Sequence, residues 1–200
     1  MPGRRKTREG AATLKPVLKE PDEVRLIVSI AAGNRRAFET LYRLYFPRLA
    51  RFLERITHSI VLIEEIVNDT MFVVWRRAAT FDRSCKVSTW IFSIGYRKAL
   101  KAITCHDEPV ESDPDLNPGD GWQQPEAELG RLELHQRISA ALDAIPLEQR
   151  TVVNLVYYHG MGYEEIAAIM DCPVNTVKTR MFHARRRLKV LLADQAESTS

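Results

Sequence analysis

The chain has 200 residues, 45% of them hydrophobic and 28% charged, the balance of one or two ordinary globular domains and not of a disordered or fibrous chain. Its longest stretch free of Asp, Glu, Lys and Arg runs from Thr151 to Tyr163, far short of the ~20 apolar residues of a membrane span, and no apolar run follows the basic start. Neither a transmembrane helix nor a secretory signal is therefore expected, and the cytoplasm is the expected compartment.

The net charge of +3 is strongly segregated. Residues 1–24 carry +2, 25–103 carry +8, 104–131 carry −7, and 132–200 are balanced. The acidic stretch also holds Pro109, Pro114, Pro118, Gly119, Gly121 and Pro125, so it reads as an extended linker between two bodies. The expected organisation is a basic, disordered arm at 1–22, a first domain at 23–103, the linker at 104–131, a second domain at 132–193 and a tail at 194–200.

Helical periodicity dominates throughout. Asn34 is a candidate N-cap for a long helix whose apolar residues Phe38, Leu41, Tyr42, Tyr45, Leu49, Phe52, Leu53 and Ile56 recur at helical spacing on either side of Pro47, where a kink is expected. Ser59 can cap a second helix with Ile63, Ile66, Val67, Thr70 and Val74 on one face and Glu65, Asn68, Asp69, Phe72 and Arg76 on another. Ser88 or Thr89 can cap a third, from Trp90 to about Ile103. Beyond the linker, Leu134, Ile138, Ala141, Leu142 and Ile145 keep helical spacing up to Pro146. No segment alternates long enough to argue a strand, so the expected fold class is all-α, two helical domains joined by the acidic linker.

The last sixty residues are the most informative. A helix from about Leu147 is broken at Gly160-Met161-Gly162, a short one spans Tyr163 to Met170, and Asp171-Cys172-Pro173-Val174-Asn175 turns into a long one beginning near Thr176. Short helix, tight turn and long helix form a helix-turn-helix. Val177, Met181, Ala184, Leu188 and Leu191 make the packing stripe of the long helix. Lys178, Arg180, Arg185, Arg186, Arg187 and Lys189 remain for its surface, with no acidic residue between Asp171 and Asp194. Six uncompensated cations suit DNA phosphates. The residues that begin such a helix, here Asn175, Thr176, Lys178, Thr179 and Arg180, are the ones that reach base edges.

These residues resemble a known family. Pro146-Leu-Glu-Gln-Arg150, Tyr163-Glu-Glu-Ile-Ala167, Pro173-Val-Asn-Thr-Val-Lys-Thr-Arg180 and Ala184-Arg-Arg-Arg-Leu188 are similar to region 4 of bacterial RNA polymerase sigma factors of the extracytoplasmic-function group. Ala37-Phe-Glu-Thr-Leu-Tyr42, Glu64-Glu-Ile-Val-Asn-Asp-Thr-Met-Phe-Val-Val-Trp75 and Ser88-Thr-Trp-Ile-Phe-Ser-Ile-Gly-Tyr-Arg-Lys98 resemble region 2. The resemblance implies a transcription initiation factor without catalytic activity or cofactor, whose partners are core RNA polymerase (the β′ clamp coiled coil and the β flap), promoter DNA and an inhibitory anti-sigma protein.

It also implies roles for residues. Glu64, Glu65, Asn68, Asp69 and Phe72 would dock on the polymerase, an acidic face meeting a basic partner. The loop and helix carrying Phe81, Asp82, Arg83, Lys86, Ser88, Thr89, Tyr96, Arg97, Lys98 and Lys101 would bind the single-stranded −10 element, where rings and cations combine stacking with backbone charge; Trp90 is expected to serve packing. Tyr163, Pro173, Asn175, Thr176, Lys178, Thr179, Arg180, His183, Arg185, Arg186 and Arg187 would bind the double-stranded −35 element. The 28-residue linker reaches at most ~95 Å at ~3.3–3.6 Å per residue, enough for elements some ~80 Å apart at ~3.4 Å per base pair.

The chain also departs from the family pattern. Lys101-Ala-Ile-Thr-Cys-His106 is weakly basic where the family carries a dense arginine run, Ser93 and Gly95 stand at positions often basic or alanine, and His183 replaces a common arginine.

The other function classes are poorly supplied. There is no Gly-rich phosphate loop and no His-Glu-x-x-His, and the five histidines do not pair with carboxylates or cysteines at ligand spacing. Cys85, Cys105 and Cys172 fit neither a disulfide framework nor a metal pair and read as reduced thiols. The serious rival is a transcription regulator that binds DNA by its helix-turn-helix alone, with the first body sensing a ligand or a partner.

Overall fold

The computed structural model describes residues 20–105 and 127–197, and every regular element among them is helical. In chain order these are α1 (Glu20–Ala31), α2 (Arg35–Leu53), α3 (Ile60–Arg77), a 3-10 turn (Ala78–Thr80), α4 (Val87–Cys105), α5 (Ala127–Asp143), α6 (Leu147–Tyr157), α7 (Tyr163–Met170) and α8 (Val174–Glu197). The all-α expectation holds for this part of the chain. Most of the acidic linker and of the basic arm lies outside the described residues.

Local chemistry starts α2 and α3 where the sequence places them. Asn34 Oδ1 accepts the Ala37 N–H at 3.1 Å, and Ser59 Oγ accepts the Leu62 N–H at 3.3 Å, each meeting one of the donors a helix start leaves unpaired. α2 continues through Pro47 to Leu53.

Four boundaries depart from the sequence reading. α4 begins at Val87, and the Trp90 N–H already donates to the Lys86 carbonyl at 3.0 Å, so Ser88 and Thr89 lie inside the first turn and do not cap it. α1 begins at Glu20, within the stretch assigned to the arm; Glu20, Asp22 and Glu23 fill its first turn, where negative charge suits the helix dipole. α5 begins at Ala127 and so takes in the last five residues of the assigned linker, and α8 runs from Val174 to Glu197, past the expected end at 193.

In the first unit, α2 contributes Leu41, Tyr45, Leu49, Phe52 and Leu53 to the core, α3 contributes Ile63, Ile66, Val67, Met71 and Val74, and α4 contributes Ile91, Phe92 and Ala99. α4 passes so close to α2 that a Cβ on Gly95 would stand 3.3 Å from Leu49 Cδ2. An alanine there would need the Leu49 side chain to give way by a few tenths of an ångström. The Glu23 carboxylate of α1, 6% exposed, accepts the Tyr45 hydroxyl at 2.8 Å and faces Arg48 at 3.4 Å. Burial raises the Glu23 pKa above the ordinary carboxylate value, against the pull of Tyr45 and Arg48.

The second unit packs Val152 and Leu155 of α6, Ile166 and Ile169 of α7, and Val177, Met181 and Ala184 of α8. The last three are the core of the stripe read from the sequence. The turn between α7 and α8 bends at Asp171, whose φ of 51° is left-handed, as a C-cap with a short polar side chain tolerates. The Cys172 N–H then donates back to the Ala167 carbonyl at 3.0 Å.

The two units are not held apart. α4 lies along α7, and one buried cluster runs from the first unit into the second. The His159 ring packs edge-on against Phe92 at 4.9 Å and Phe52 at 6.0 Å. Asn154 Nδ2 donates to the Phe52 carbonyl at 3.1 Å, and Arg55 donates to Ser139 Oγ at 2.7 Å.

Candidate nucleic-acid interface

Three surfaces collect the residues singled out in the sequence. The first is the outer face of α3, where Glu64, Glu65, Asn68 and Asp69 are all exposed and Phe72, 57% exposed, stands among them. Helical spacing puts them on one face because the opposite stripe, Ile63, Ile66, Val67, Thr70 and Val74, is sunk in the core. Two of them are held by neighbours: Asn68 accepts the Tyr42 hydroxyl at 2.7 Å, and Asp69 pairs with Lys98 of α4 at 2.6 Å.

The second surface is α4 with the loop before it. Asp82, Arg83 and Lys86 are exposed, and Phe81 is half-buried against Trp90 with ring centroids 5.1 Å apart. Trp90 is thus a packing residue, as expected. Asp82 accepts the Ser84 N–H at 2.9 Å, and this bond holds its carboxyl below the ordinary range. Arg83 sits at φ 61°, an unusual backbone for a side chain without local stabilisation of that conformation. Arg97 and Lys101 face outward, and Ser88 and Lys98 are half-exposed.

Thr89 and Tyr96 are different: they are 2% and 4% exposed. Both lie under the second unit. Thr89 Oγ1 donates to Glu165 of α7 at 3.2 Å, and Lys86 Nζ pairs with the same carboxylate oxygen at 3.2 Å. Burial raises the Tyr96 hydroxyl pKa, with the Arg180 charge acting against the rise. The sequence reading left these side chains open to DNA; in this conformation Thr89 is closed by Glu165 of α7, and Tyr96 is buried with Arg180, Glu148 and Cys172 of the second unit near it.

The third surface is the helix-turn-helix. Pro173, Asn175, Lys178, Thr179, His183, Arg185, Arg186 and Arg187 are exposed, and Tyr163, Thr176 and Arg180 are half-buried. Arg180 is partly engaged, its Nη1 3.5 Å from Cys172 Sγ. Arg185 donates to the Tyr157 hydroxyl at 3.1 Å and Arg187 to Gln149 at 3.4 Å, which steadies two of the cations while leaving their positive charge uncompensated. A basic face on a helix that carries no carboxylate before Asp194 is suited to the phosphates of a duplex.

Two residues that matter here were not singled out in the sequence. Glu165 closes the start of α7 by accepting the Gly162 N–H at 3.0 Å, and reaches α4 with its other oxygen. Burial acts to raise its carboxyl, but the Gly162 amide, Lys86 and Thr89 outweigh that and hold it below the ordinary carboxylate value. The carboxylate spaced three residues from Gly162 was a visible capping signal; its contact with Lys86 and Thr89 was not. His159 is the other. Burial, with the charges of Arg48 and Arg51, lowers its pKa from 6.5 to about 4, so it is neutral at pH 7.

Among the described residues there is no cluster of His, Cys, Asp and Glu that could hold a metal ion, and no helix long and apolar enough to cross a membrane.

Two sequence-family models, Sigma-70 region 2 and Sigma-70 region 4, match residues 41–108 and 135–188, together more than half of the chain. The ECF RNA polymerase sigma-E factor of Escherichia coli is 27% identical over 173 residues, 82% of this chain and 90% of the relative. The RNA polymerase sigma-H factor of Pseudomonas aeruginosa is 23% identical over 182 residues, 86% and 94% of the two chains. The chain belongs to the extracytoplasmic-function group of sigma-70 factors. It is an RNA polymerase sigma factor acting in transcription initiation, and sigma factors are non-catalytic regulators of transcription.

Among solved structures, CnrH in complex with the cytosolic domain of CnrY is 25% identical with a TM-score of 0.65, covering 86% of this chain and 98% of that one. The sigma factor RpoE in complex with the anti-sigma factor NepR from Bartonella quintana shares the fold, with 24% identity, a TM-score of 0.58 and coverage of 78% and 96%. In the present chain the acidic face of α3 and the whole of α4 fall within the region 2 match, and α7, the turn and α8 as far as residue 188 within region 4.

Proposed function

We propose that this sigma factor docks on core RNA polymerase through Glu64, Glu65, Asn68, Asp69 and Phe72 of α3, binds the single-stranded −10 element with the Phe81–Lys101 segment, and reads the −35 duplex with α8. It has no catalytic activity of its own and works in the cytoplasm, where it meets the polymerase; an anti-sigma protein restrains it, as NepR partners RpoE in the related structure.

The observation that carries this reading is the exposed face of α3. Four polar or acidic side chains surround a phenylalanine that is 57% exposed, an anchor with a charged rim of the kind that protein interfaces use.

Reconstituted transcription tests the proposal. Purified protein and core polymerase on a pool of genomic promoter fragments should give discrete 5′ ends that share upstream elements and disappear without the protein. Specific duplex binding by the protein alone, with no start above the core background, would replace it with a stand-alone regulator.

A further inference from the structure

One carboxylate of the second unit occupies the nucleic-acid face of the first. Glu165 Oε1 lies 3.2 Å from Lys86 Nζ and accepts Thr89 Oγ1 at 3.2 Å. An ammonium and a hydroxyl converging on one anionic oxygen make the donor set that also receives a phosphodiester oxygen. The pair lies at the first turn of α4, beside Asp82 and Arg83, on the surface assigned above to single-stranded DNA.

The surroundings support a specific contact. Thr89 is 2% exposed, so the hydroxyl has no water-facing alternative while α7 is in place. Glu165 is held from its own side by the Gly162 N–H at 3.0 Å, which fixes the carboxylate before it meets α4. Tyr96, further along the same helix, is 4% exposed, with Arg180, Glu148 and Cys172 of the second unit near it. Arg97 and Lys101 stay exposed, so the cover falls on one end of the nucleic-acid face only.

We infer that Lys86 and Thr89 form an anion site for a phosphate of single-stranded DNA, and that Glu165 fills it in cis, so that the packing of α7 on α4 and the binding of the strand exclude each other. The inference rests on the −10 role proposed above. A strand that binds only the open form pays for opening, and its apparent affinity is reduced by the fraction of molecules that are open. Weakening the Glu165 contacts raises that fraction.

The test uses the full chain and a short fluorescein-labelled single-stranded oligonucleotide of mixed sequence, followed by anisotropy at low salt. Glu165→Gln keeps an oxygen for the Gly162 amide and removes the charge that Lys86 sees. With Lys86 half exposed, the loss of one such pair should tighten oligonucleotide binding about fivefold. Lys86→Ala alone should change affinity little, because it removes the cis contact and the phosphate contact together; in the Glu165→Gln background it should abolish the gain. Wild-type affinity in Glu165→Gln, or a gain that survives Lys86→Ala, overturns the inference.

If Glu165→Gln loses its helical circular dichroism, Lys86→Glu, on an exposed side chain, takes its place. It should raise the radius of gyration in solution scattering, and an unchanged radius overturns the inference. Transcription with core polymerase separates the two layers. Promoter-dependent starts together with indifferent oligonucleotide binding remove the cis contact and leave the sigma role standing, whereas absence of starts removes the −10 role and with it the identity of the anion.

Discussion

Asn154 and Phe52 lie 102 residues apart in sequence, and the side-chain amide of one donates to the backbone carbonyl of the other at 3.1 Å. Phe52 stands in the last turn of α2, where carbonyls lack a partner within the helix, and its carbonyl otherwise meets the Arg55 N–H at 3.4 Å. Asn154, 2% exposed in α6, adds a second and shorter donor from the second unit. Replacing it by alanine removes a buried hydrogen bond and leaves a small void, so Asn154→Ala should destabilise the protein by about 1–3 kcal/mol. Urea unfolding reads this as a lower midpoint at constant slope. A change within about 0.5 kcal/mol, the range of an ordinary surface substitution, would show that this bond does not tie the units together.

Acid should loosen the same junction through His159. Its folded pKa of about 4 lies below the ordinary 6.5, so the neutral ring's contribution is fully present above about pH 6.5 and drains away as pH falls toward 4. Protonation would put a charge between Phe52 and Phe92, beside Arg48 and Arg51. Glu23, whose carboxyl is raised, acts in the opposite sense, because a raised carboxyl loses its contribution as pH rises. The histidine's share is therefore the difference between wild type and His159→Phe. Wild type should lose more stability than the variant between pH 7 and pH 5 in urea titrations, and parallel profiles would contradict the assignment.

What the sequence discloses depends on how far apart the interacting groups are. The caps at Asn34 and Ser59 are legible because donor and acceptor are three residues apart, and the stripe Val177, Met181, Ala184 because one helix repeats it. The start of α4 misleads because Ser88 and Thr89 are good capping residues in isolation, yet the chain is already helical at Val87. The likeness to region 4 rests on four short stretches between residues 146 and 188, each legible by itself, and Lys178, Arg185, Arg186 and Arg187 among them remain exposed. The burial of Thr89 was not legible, because it depends on Glu165 of α7, some 76 residues away, and no periodicity carries that information; the same holds for Tyr96, whose charged neighbours Glu148 and Arg180 also lie far along the chain.

Docking on the polymerase should fail in Glu65→Lys with Phe72→Ala. Both side chains are exposed, so the fold should survive by circular dichroism, while an inverted charge and a lost aromatic anchor should weaken core polymerase binding about tenfold or more. Asp69 is a poorer choice for this purpose, since its pairing with Lys98 at 2.6 Å links α3 to α4 and its loss would mix docking with packing. Co-purification or fluorescence titration with core polymerase reads the outcome. Wild-type binding by the folded double variant would move the docking face elsewhere.

The two ends of α8 should behave differently on DNA. Lys178 lies one turn into the helix, exposed and beside Asn175 and Thr179, where base edges come within reach. Arg186 is exposed two turns further on, in a run of three arginines whose neighbours lean on Tyr157 and Gln149, a placement suited to the backbone. Lys178→Ala should therefore cost about 1–3 kcal/mol on the preferred −35 sequence and relax the choice of base at one position. Arg186→Ala should weaken binding to all upstream sequences alike and reduce the slope of log affinity against log salt by about one. Holoenzyme binding to a panel of upstream variants at several salt concentrations distinguishes them. If Arg186→Ala altered the preferred sequence and Lys178→Ala altered only the salt slope, the helix would enter the groove by its opposite end.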